Sequence, residues 1–356
     1  MTAPGRFGSA APMKRLENPF RGQQRGLPAL DAIPAPSIDA ARPMALIRRC
    51  PAYAPTPLCP VPGLASRLGV AEVWVKDERS RMGLGSFKAL GAAYVIASDA
   101  EAGKAAGQTY VTASAGNHGM SVAAGARAFG ARAVVFIAET VPERFAQRLR
   151  DQGALVLREG ATYEASMAAA AQAAERNGWQ LLSDSSWPGY VTRPHRLMEG
   201  YLVLIEEAAQ QMPEPPSHVF LQAGVGGLAG AVAVLARVHW GDGPEITVVE
   251  PDQAPALAAS IAAGRPVVAS GSVSAMGRLD CKEPSLIALK GLAREADGFL
   301  MITEAEGEAG ARLATEVDLA STPSAAAGLA GALAMTRAGM LPPEARILFV
   351  LSEGPE

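Results

Sequence analysis

Aromatic side chains are scarce in this chain: nine Phe, six Tyr and four Trp amount to 5% of 356 residues, against 37 glycines. A core short of rings has to be closed by small residues, so helices and sheets are expected to meet at short distances. The three cysteines, Cys50, Cys59 and Cys281, are odd in number and far apart. That excludes a disulfide framework or a zinc spacing and points to a reducing compartment, the cytoplasm. The four histidines, His118, His195, His218 and His239, show no paired ligand spacing, so no metal is expected. Positive charge is not in excess: a net charge of −3 argues against a nucleic-acid partner. No apolar run is long enough to span a bilayer, and Met1 to Pro43 lacks the apolar centre of a signal peptide. A soluble protein without a membrane partner is the expectation.

What is present is an alternation. Glu72 to Lys76 reads as a strand, and the apolar run from Lys88 as a buried helix. Strands at 109–112, 133–137, 155–157 and 180–182 alternate with helices at 119–129, 142–152 and 163–176, the second opened by Pro142. Such alternation predicts a parallel sheet with helices on both faces. Pro213 to Pro216 marks a break, followed by strand 218–222, helix 229–238, strand 246–249 and a last strand at 347–351. The fold class expected is α/β, with two open parallel-sheet domains. Residues 1–85 and 200–356 would form the large one and 86–199 the small one, with 1–45 an extended arm rich in Pro, Arg and Gly.

Three segments carry chemistry. Lys88 lies in Gly85-Ser86-Phe87-Lys88. A lysine beside Phe is most often a surface residue laying its stem over apolar neighbours. Buried, however, it would lose its charge readily and offer a free amine for imine formation, and Gly83, Gly85 and Gly91 would let a cofactor approach the backbone. Ser114-Ala115-Gly116-Asn117-His118-Gly119 sits between a strand and a helix, where backbone N–H groups bind an anion such as a substrate carboxylate; the plain alternative is a capped turn. Gly224-Val225-Gly226-Gly227-Leu228-Ala229-Gly230 also follows a strand and opens a helix, and suits one terminal phosphate. Gly224-x-Gly226-x-x-Ala229 fits the dinucleotide fingerprint too, with Glu250 at the end of the next strand where a ribose-binding acid belongs, so an NAD-dependent dehydrogenase is a reading from another class. That reading leaves Lys88 and the 114–119 loop without roles. Asp184, flanked by Trp187 and Tyr190, is either a turn former or a proton acceptor whose pKa a cleft would raise. Ser352 follows the last strand, and its bland reading is a strand-end turn.

Together these segments resemble the fold type II, tryptophan synthase β-like, pyridoxal phosphate enzymes and, within them, the diaminopropionate ammonia-lyases. The likeness runs from Tyr53-Ala54-Pro55-Thr56-Pro57-Leu58 and Lys76-Asp77-Glu78 through the three segments above. It continues over Asp184 to Tyr190, Val249-Glu250-Pro251-Asp252 and Cys281-Lys282-Glu283-Pro284 to Ser352-Glu353-Gly354. The resemblance implies that Lys88 holds pyridoxal 5'-phosphate covalently in a cleft between the domains, with Phe87 near its ring. It implies that Gly224, Val225, Gly226, Gly227 and Leu228 bind the phosphate, Asn117 the phenolic oxygen and Ser352 the ring nitrogen. Ser114, Ala115, Gly116 and His118 would hold the substrate. Asp184 matches an acid associated with the L-substrate. The aspartate associated with the D-substrate is replaced by Ala115, and Ser114 makes the loop more like that of serine/threonine dehydratases. The segment Ser321-Thr322-Pro323-Ser324-Ala325 departs from the lyases' acidic, glycine-rich counterpart.

The implied reaction is β-elimination from a small β-substituted amino acid such as 2,3-diaminopropionate, giving a 2-oxo acid and ammonia, with a homodimer the family expectation. A hydroxyl donor such as Ser352 at the ring nitrogen makes a weaker electron sink than a carboxylate, which favours elimination over transamination. Serine, threonine or 3-hydroxyaspartate dehydration, β-replacement, racemisation and a catalytically silent sensor are the neighbouring possibilities.

Overall fold

The computed structural model describes residues 13–23 and 26–355. The strands are β1 (Lys14–Glu17), β2 (Leu58–Pro60), β3 (Glu72–Asp77), β4 (Thr109–Ala113), β5 (Arg132–Ile137), β6 (Leu155–Arg158), β7 (Gln180–Leu181), β8 (His218–Gln222), β9 (Glu245–Pro251), β10 (Gly298–Ile302) and β11 (Arg346–Leu351). They form a seven-stranded sheet in the order β1-β10-β9-β8-β11-β3-β2 and a four-stranded sheet in the order β6-β5-β4-β7. All pairs of the small sheet are parallel. The large sheet is parallel from β10 to β3, and its two edge strands run antiparallel. Central strands such as β8 and β11 are almost wholly buried, and each reads as an apolar run because helices cover both faces.

The helices are α1 (Ala41–Ile47), α2 (Pro62–Leu68), α3 (Lys88–Glu101), α4 (Asn117–Ala128), α5 (Glu143–Asp151), α6 (Tyr163–Asn177), α7 (Thr192–Gln211), α8 (Gly227–Trp240), α9 (Ala256–Ala263), α10 (Leu286–Glu295), α11 (Glu304–Thr315) and α12 (Ala327–Arg337). Every predicted element is found within a few residues of its expected bounds. The long α7, and most of the chain between 253 and 340, were not read as helix or strand. The boundary expected at 199/200 falls inside α7, whose Gly200 meets α3. The crossing is close: a Cβ at Gly200 would lie 2.4 Å from Leu90 O, and one at Gly91 2.7 Å from Tyr201 Cε1. The room at Gly91 therefore serves helix packing and is not open to a cofactor, which corrects that expectation.

The arm has more structure than its composition suggested. The described part of 1–60 supplies β1, α1 and β2, and the start of the arm lies outside the described residues. Asn18 Nδ2 donates to the carbonyls of Leu292, Ala293 and Ala296 and so satisfies the end of α10. Thr56 joins a fully buried ionic cluster. There Lys76 Nζ and Arg81 Nη2 each reach Glu207 Oε2 at 2.7 Å, and Arg81 Nε reaches Glu78 Oε2 at 2.7 Å. The Thr56 hydroxyl donates to Glu78 at 2.5 Å. This cluster clamps the end of β3, and the segment leading to Lys88, onto α7.

Candidate active site

In parallel sheets the strands' carboxyl ends present the loops that bind ligands. Here β3, β11 and β8 are neighbours in register, so the segments after Asp77, Leu351 and Gln222 emerge side by side. In the small sheet β4 and β7 are paired neighbours, and they deliver the 114–119 loop and Asp184. Five loops thus converge from two sheets.

The segment before Lys88 runs antiparallel to the chain end: Phe87 N donates to Ser352 O at 3.1 Å and Gly354 N to Gly85 O at 3.0 Å. Ser352 is thereby held next to the lysine that opens α3. It is buried, and its hydroxyl has no partner among the described residues. The Phe87 ring packs against Tyr201, with centroids 4.9 Å apart, and Lys88 Nζ lies 5.1 Å from the first ring centroid and 5.8 Å from the second.

Lys88 Nζ donates to Asp184 Oδ2 at 2.6 Å, with the two side chains 22% and 18% exposed. Burial pulls the Lys88 pKa down, but the Asp184 carboxylate, followed by Tyr201, more than reverses it, so the ammonium form is held above its ordinary range. Burial likewise pushes Asp184 up, and Lys88 and then His118 outweigh it, leaving the carboxyl well below its ordinary range. Both expectations, a lowered lysine and a raised aspartate, are corrected for the same reason. The two groups face each other, and each neutralises the other's desolvation.

In the 114–119 loop, Ser114 Oγ accepts from Gly116 N at 3.3 Å, and α4 starts at Asn117 with no side-chain cap at Gly116. The first N–H groups of the helix thus have no intrahelical partner. Ala115 is half-buried against the core. His118 is buried, and its Nε2 carries the proton it donates to Leu182 O at 2.8 Å. Nδ1 has no partner, and burial lowers the ring's pKa, so the imidazole is neutral. The Asn117 amide donates to Glu353 Oε2.

The glycine loop after β8 makes the cradle. Gly226 has φ of +97°, which a side chain would resist, and forms the N-cap of α8 without a side-chain cap. The first intrahelical bond runs from Gly230 N to Gly226 O, so the N–H groups of Gly226, Gly227, Leu228 and Ala229 have no partner inside the helix. A Cβ on Gly227 would lie 3.5 Å from Tyr201 Cε2 and 4.0 Å from Asp184 O, which brings the cradle to the same aromatic wall as Lys88. The dinucleotide reading fails on Glu250. That carboxylate is fully buried and accepts from Leu257 N and Ala258 N at 2.8 Å each, so it caps α9 and faces no ribose.

A lysine paired with a carboxylate, an anion cradle of backbone amides beside the same rings, and an unpartnered hydroxyl at the end of β11 fit an aldehyde cofactor with one phosphate. The comparisons agree. Residues 50–353 match the model of the pyridoxal-phosphate dependent enzymes, and the chain belongs to that family. Diaminopropionate ammonia-lyase of Escherichia coli is 34% identical over 282 residues, 73% of this chain and 71% of that one. The L-serine dehydratase/L-threonine deaminase of Bos taurus is 33% identical over 166 residues, 46% of this chain and 48% of that one. The fold overlays the crystal structure of the Escherichia coli ammonia-lyase in complex with its aminoacrylate–PLP azomethine intermediate. The TM-score is 0.87, with 29% identity, covering 97% of this chain and 94% of the other. The cofactor is pyridoxal phosphate.

Sequence reasoning passed over Tyr201, Glu207 and the side chain of Glu353. Tyr201 and Glu207 lie on α7, whose strong apolar stripe was the available signal.

Proposed function

We propose that this protein catalyses β-elimination from a small β-substituted L-amino acid, with 2,3-diaminopropionate the leading substrate, giving a 2-oxo acid and ammonia. The observation that carries the reading is the 2.6 Å contact of Lys88 Nζ with Asp184 Oδ2 beside the glycine cradle. When bound, pyridoxal phosphate supplies an aldehyde to hold the substrate amine and a ring that withdraws electrons from Cα. The chain's residues do the rest.

Lys88 would hold the cofactor covalently and, as a free amine, is the base placed to take the α-proton. Asp184 is held as a carboxylate chiefly by the Lys88 charge. Without a positive charge on Lys88, burial would dominate, and Asp184 would be placed to carry a proton to the departing β-group. The N–H groups of Gly226 to Leu228 grip the phosphate, those of Gly116 to His118 the carboxylate, and the Ser352 hydroxyl the ring nitrogen. Phe87 and Tyr201 keep water from one side. His118 sits behind this surface and, neutral, holds the Leu182 turn that presents Asp184.

Loss of the β-amine leaves an unsaturated amine that adds water, so one diaminopropionate and one water give pyruvate and two ammonia molecules. A hydroxyl-bearing substrate is the second reading, favoured by Ala115 standing where a carboxylate would otherwise face the site. We further propose cytoplasmic action as a homodimer, in keeping with three unpaired cysteines. Among the described residues no helix is long and apolar enough to cross a membrane. The test is to offer the purified protein L- and D-diaminopropionate, L-serine, L-threonine and 3-hydroxyaspartate and to measure 2-oxo acid. Release from an L-substrate with diaminopropionate fastest is expected; no release from any of them defeats the proposal.

A further inference from the structure

Tyr201 on α7 stands between the lysine helix and the phosphate cradle. Its ring is flanked by two glycines: a Cβ on Gly91 would lie 2.7 Å from Cε1 and 3.0 Å from Cζ, and one on Gly227 3.5 Å from Cε2. The hydroxyl sits on Cζ, the atom between those two edges, and so lies in the gap between the first turns of α3 and α8. Phe87 packs on the ring, Lys88 Nζ is 5.8 Å from its centroid, and the residue is 1% exposed.

This phenol is a donor without an acceptor. Among the described residues its oxygen has no hydrogen-bond partner. Beside it is the Lys88 ammonium, which can only donate, so whatever the contact between them the phenol's own proton stays unclaimed. Asp184 is engaged by Lys88 at 2.6 Å and acts on the phenol through its charge alone. Burial raises the phenol's pKa, Lys88 lowers it and Asp184 raises it again; the net is well above the ordinary value, so the group keeps its proton at neutral pH. A buried donor that finds no acceptor costs a fold about as much as a lost hydrogen bond, which marks the gap as a place where a bound group completes the bonding.

We propose that the Tyr201 hydroxyl donates to the phosphate of the cofactor, as a ligand supplied by α7 in addition to the glycine loop, and so selects the phosphorylated aldehyde over the unphosphorylated one. This rests on the reading of the preceding subsection that Gly226 to Leu228 hold the phosphate. Two anions enter the site, that phosphate and the substrate carboxylate, and the ring edge at Gly227 puts the hydroxyl beside the first. A neutral donor suits the position. A cation there would compete with Lys88 for Asp184, whereas a phenol grips an anion and leaves that pair intact.

The test loads full-length wild type and Tyr201→Phe with pyridoxal phosphate and, separately, with pyridoxal, and reads each dissociation constant from the visible absorbance. Pyridoxal has the same ring and aldehyde without the phosphate, so the ratio of the two constants isolates the phosphate contact. The variant keeps the ring and its packing against Phe87 and both glycines. Its preference for the phosphorylated form should fall roughly tenfold or more, the scale of one hydrogen bond to a charged group, with the pyridoxal constant unchanged. If both constants weaken together Tyr201 is a packing residue, and if both stay at wild-type values the hydroxyl has no role; either result overturns the proposal. The phosphorus magnetic resonance of the cofactor in the two holoenzymes gives a second reading. It should shift between them, and an identical resonance also overturns the contact. Gly226→Ala, which strains the loop at a φ of +97°, separates Tyr201 from the cradle. If Gly226→Ala keeps the whole phosphate preference while Tyr201→Phe lowers it, the glycine-loop reading fails and Tyr201 stays. The reverse pattern removes Tyr201 and leaves the loop.

Discussion

The pairing of Lys88 with Asp184 sets what each residue does before and after the cofactor is attached. Attachment needs a neutral amine, and Asp184 holds Lys88 as ammonium. Asp184→Asn removes the group that raises the lysine and leaves the burial that lowers it. The variant should therefore take up pyridoxal phosphate faster than wild type near pH 7, and stopped-flow absorbance would read this; slower uptake would contradict the charge argument. The same variant should lose elimination by on the order of 10²–10⁴-fold while keeping its cofactor, the scale of one positioned acid–base group. Undiminished turnover would take Asp184 out of the chemistry. Lys88→Ala should show no visible absorbance from covalently held cofactor, and an unchanged spectrum would assign the anchor elsewhere. At this scale the sequence singled out residues that the fold brings together, and it misled about their charge. Burial and partner oppose each other, and only the 2.6 Å contact decides between them.

Among the elements, α3 and α7 cross through glycines. Gly200→Ala would drive a methyl into Leu90 O, so it should lower stability by about 1–3 kcal/mol, as overpacking does. Chemical denaturation of the holo-protein would measure it, and an unchanged midpoint would mean the helices part freely. Because α7 carries Tyr201, the same variant should also disturb the cofactor's absorbance. The amphipathic run of α7 is present in the chain but was not read as a helix, and its partner could not be read either. Small residues at 91 and 200 announce a close approach without saying to what, and a cofactor and a helix satisfy that signal equally. The strand β11 was legible for the opposite reason, since burial on both faces leaves a continuous apolar run, and β3 was legible from its alternation.

Across the whole molecule, the buried cluster of Lys76, Glu78, Arg81 and Glu207 ties the arm, the large sheet and α7 into one unit. Removing one partner strands charges that water cannot reach, so Glu207→Ala should cost about 3–5 kcal/mol. Burial raises the Glu207 pKa, but Arg81 and Lys76 bring it below its ordinary value of 4.5. Its stabilising contribution is therefore complete above about pH 4.5 and is lost as pH falls through the folded-state value. The stability gap between wild type and Glu207→Gln should narrow in acid and stay constant from pH 6 to 8; a gap that widens in acid would reverse the assignment. Local patterns determined the alternation of strand and helix, the loops that follow strands, and the lysine, glycine and serine chemistry they carry, because periodicity and turn composition are properties of neighbours in the chain. Tertiary structure alone decided that Lys88 meets Asp184, that Ser352 lies beside Phe87, that Glu250 caps a helix and that Tyr201 stands between α3 and the glycine cradle. Those pairings join residues distant in sequence, and the register of two sheets, which no local signal encodes, is what brings them together.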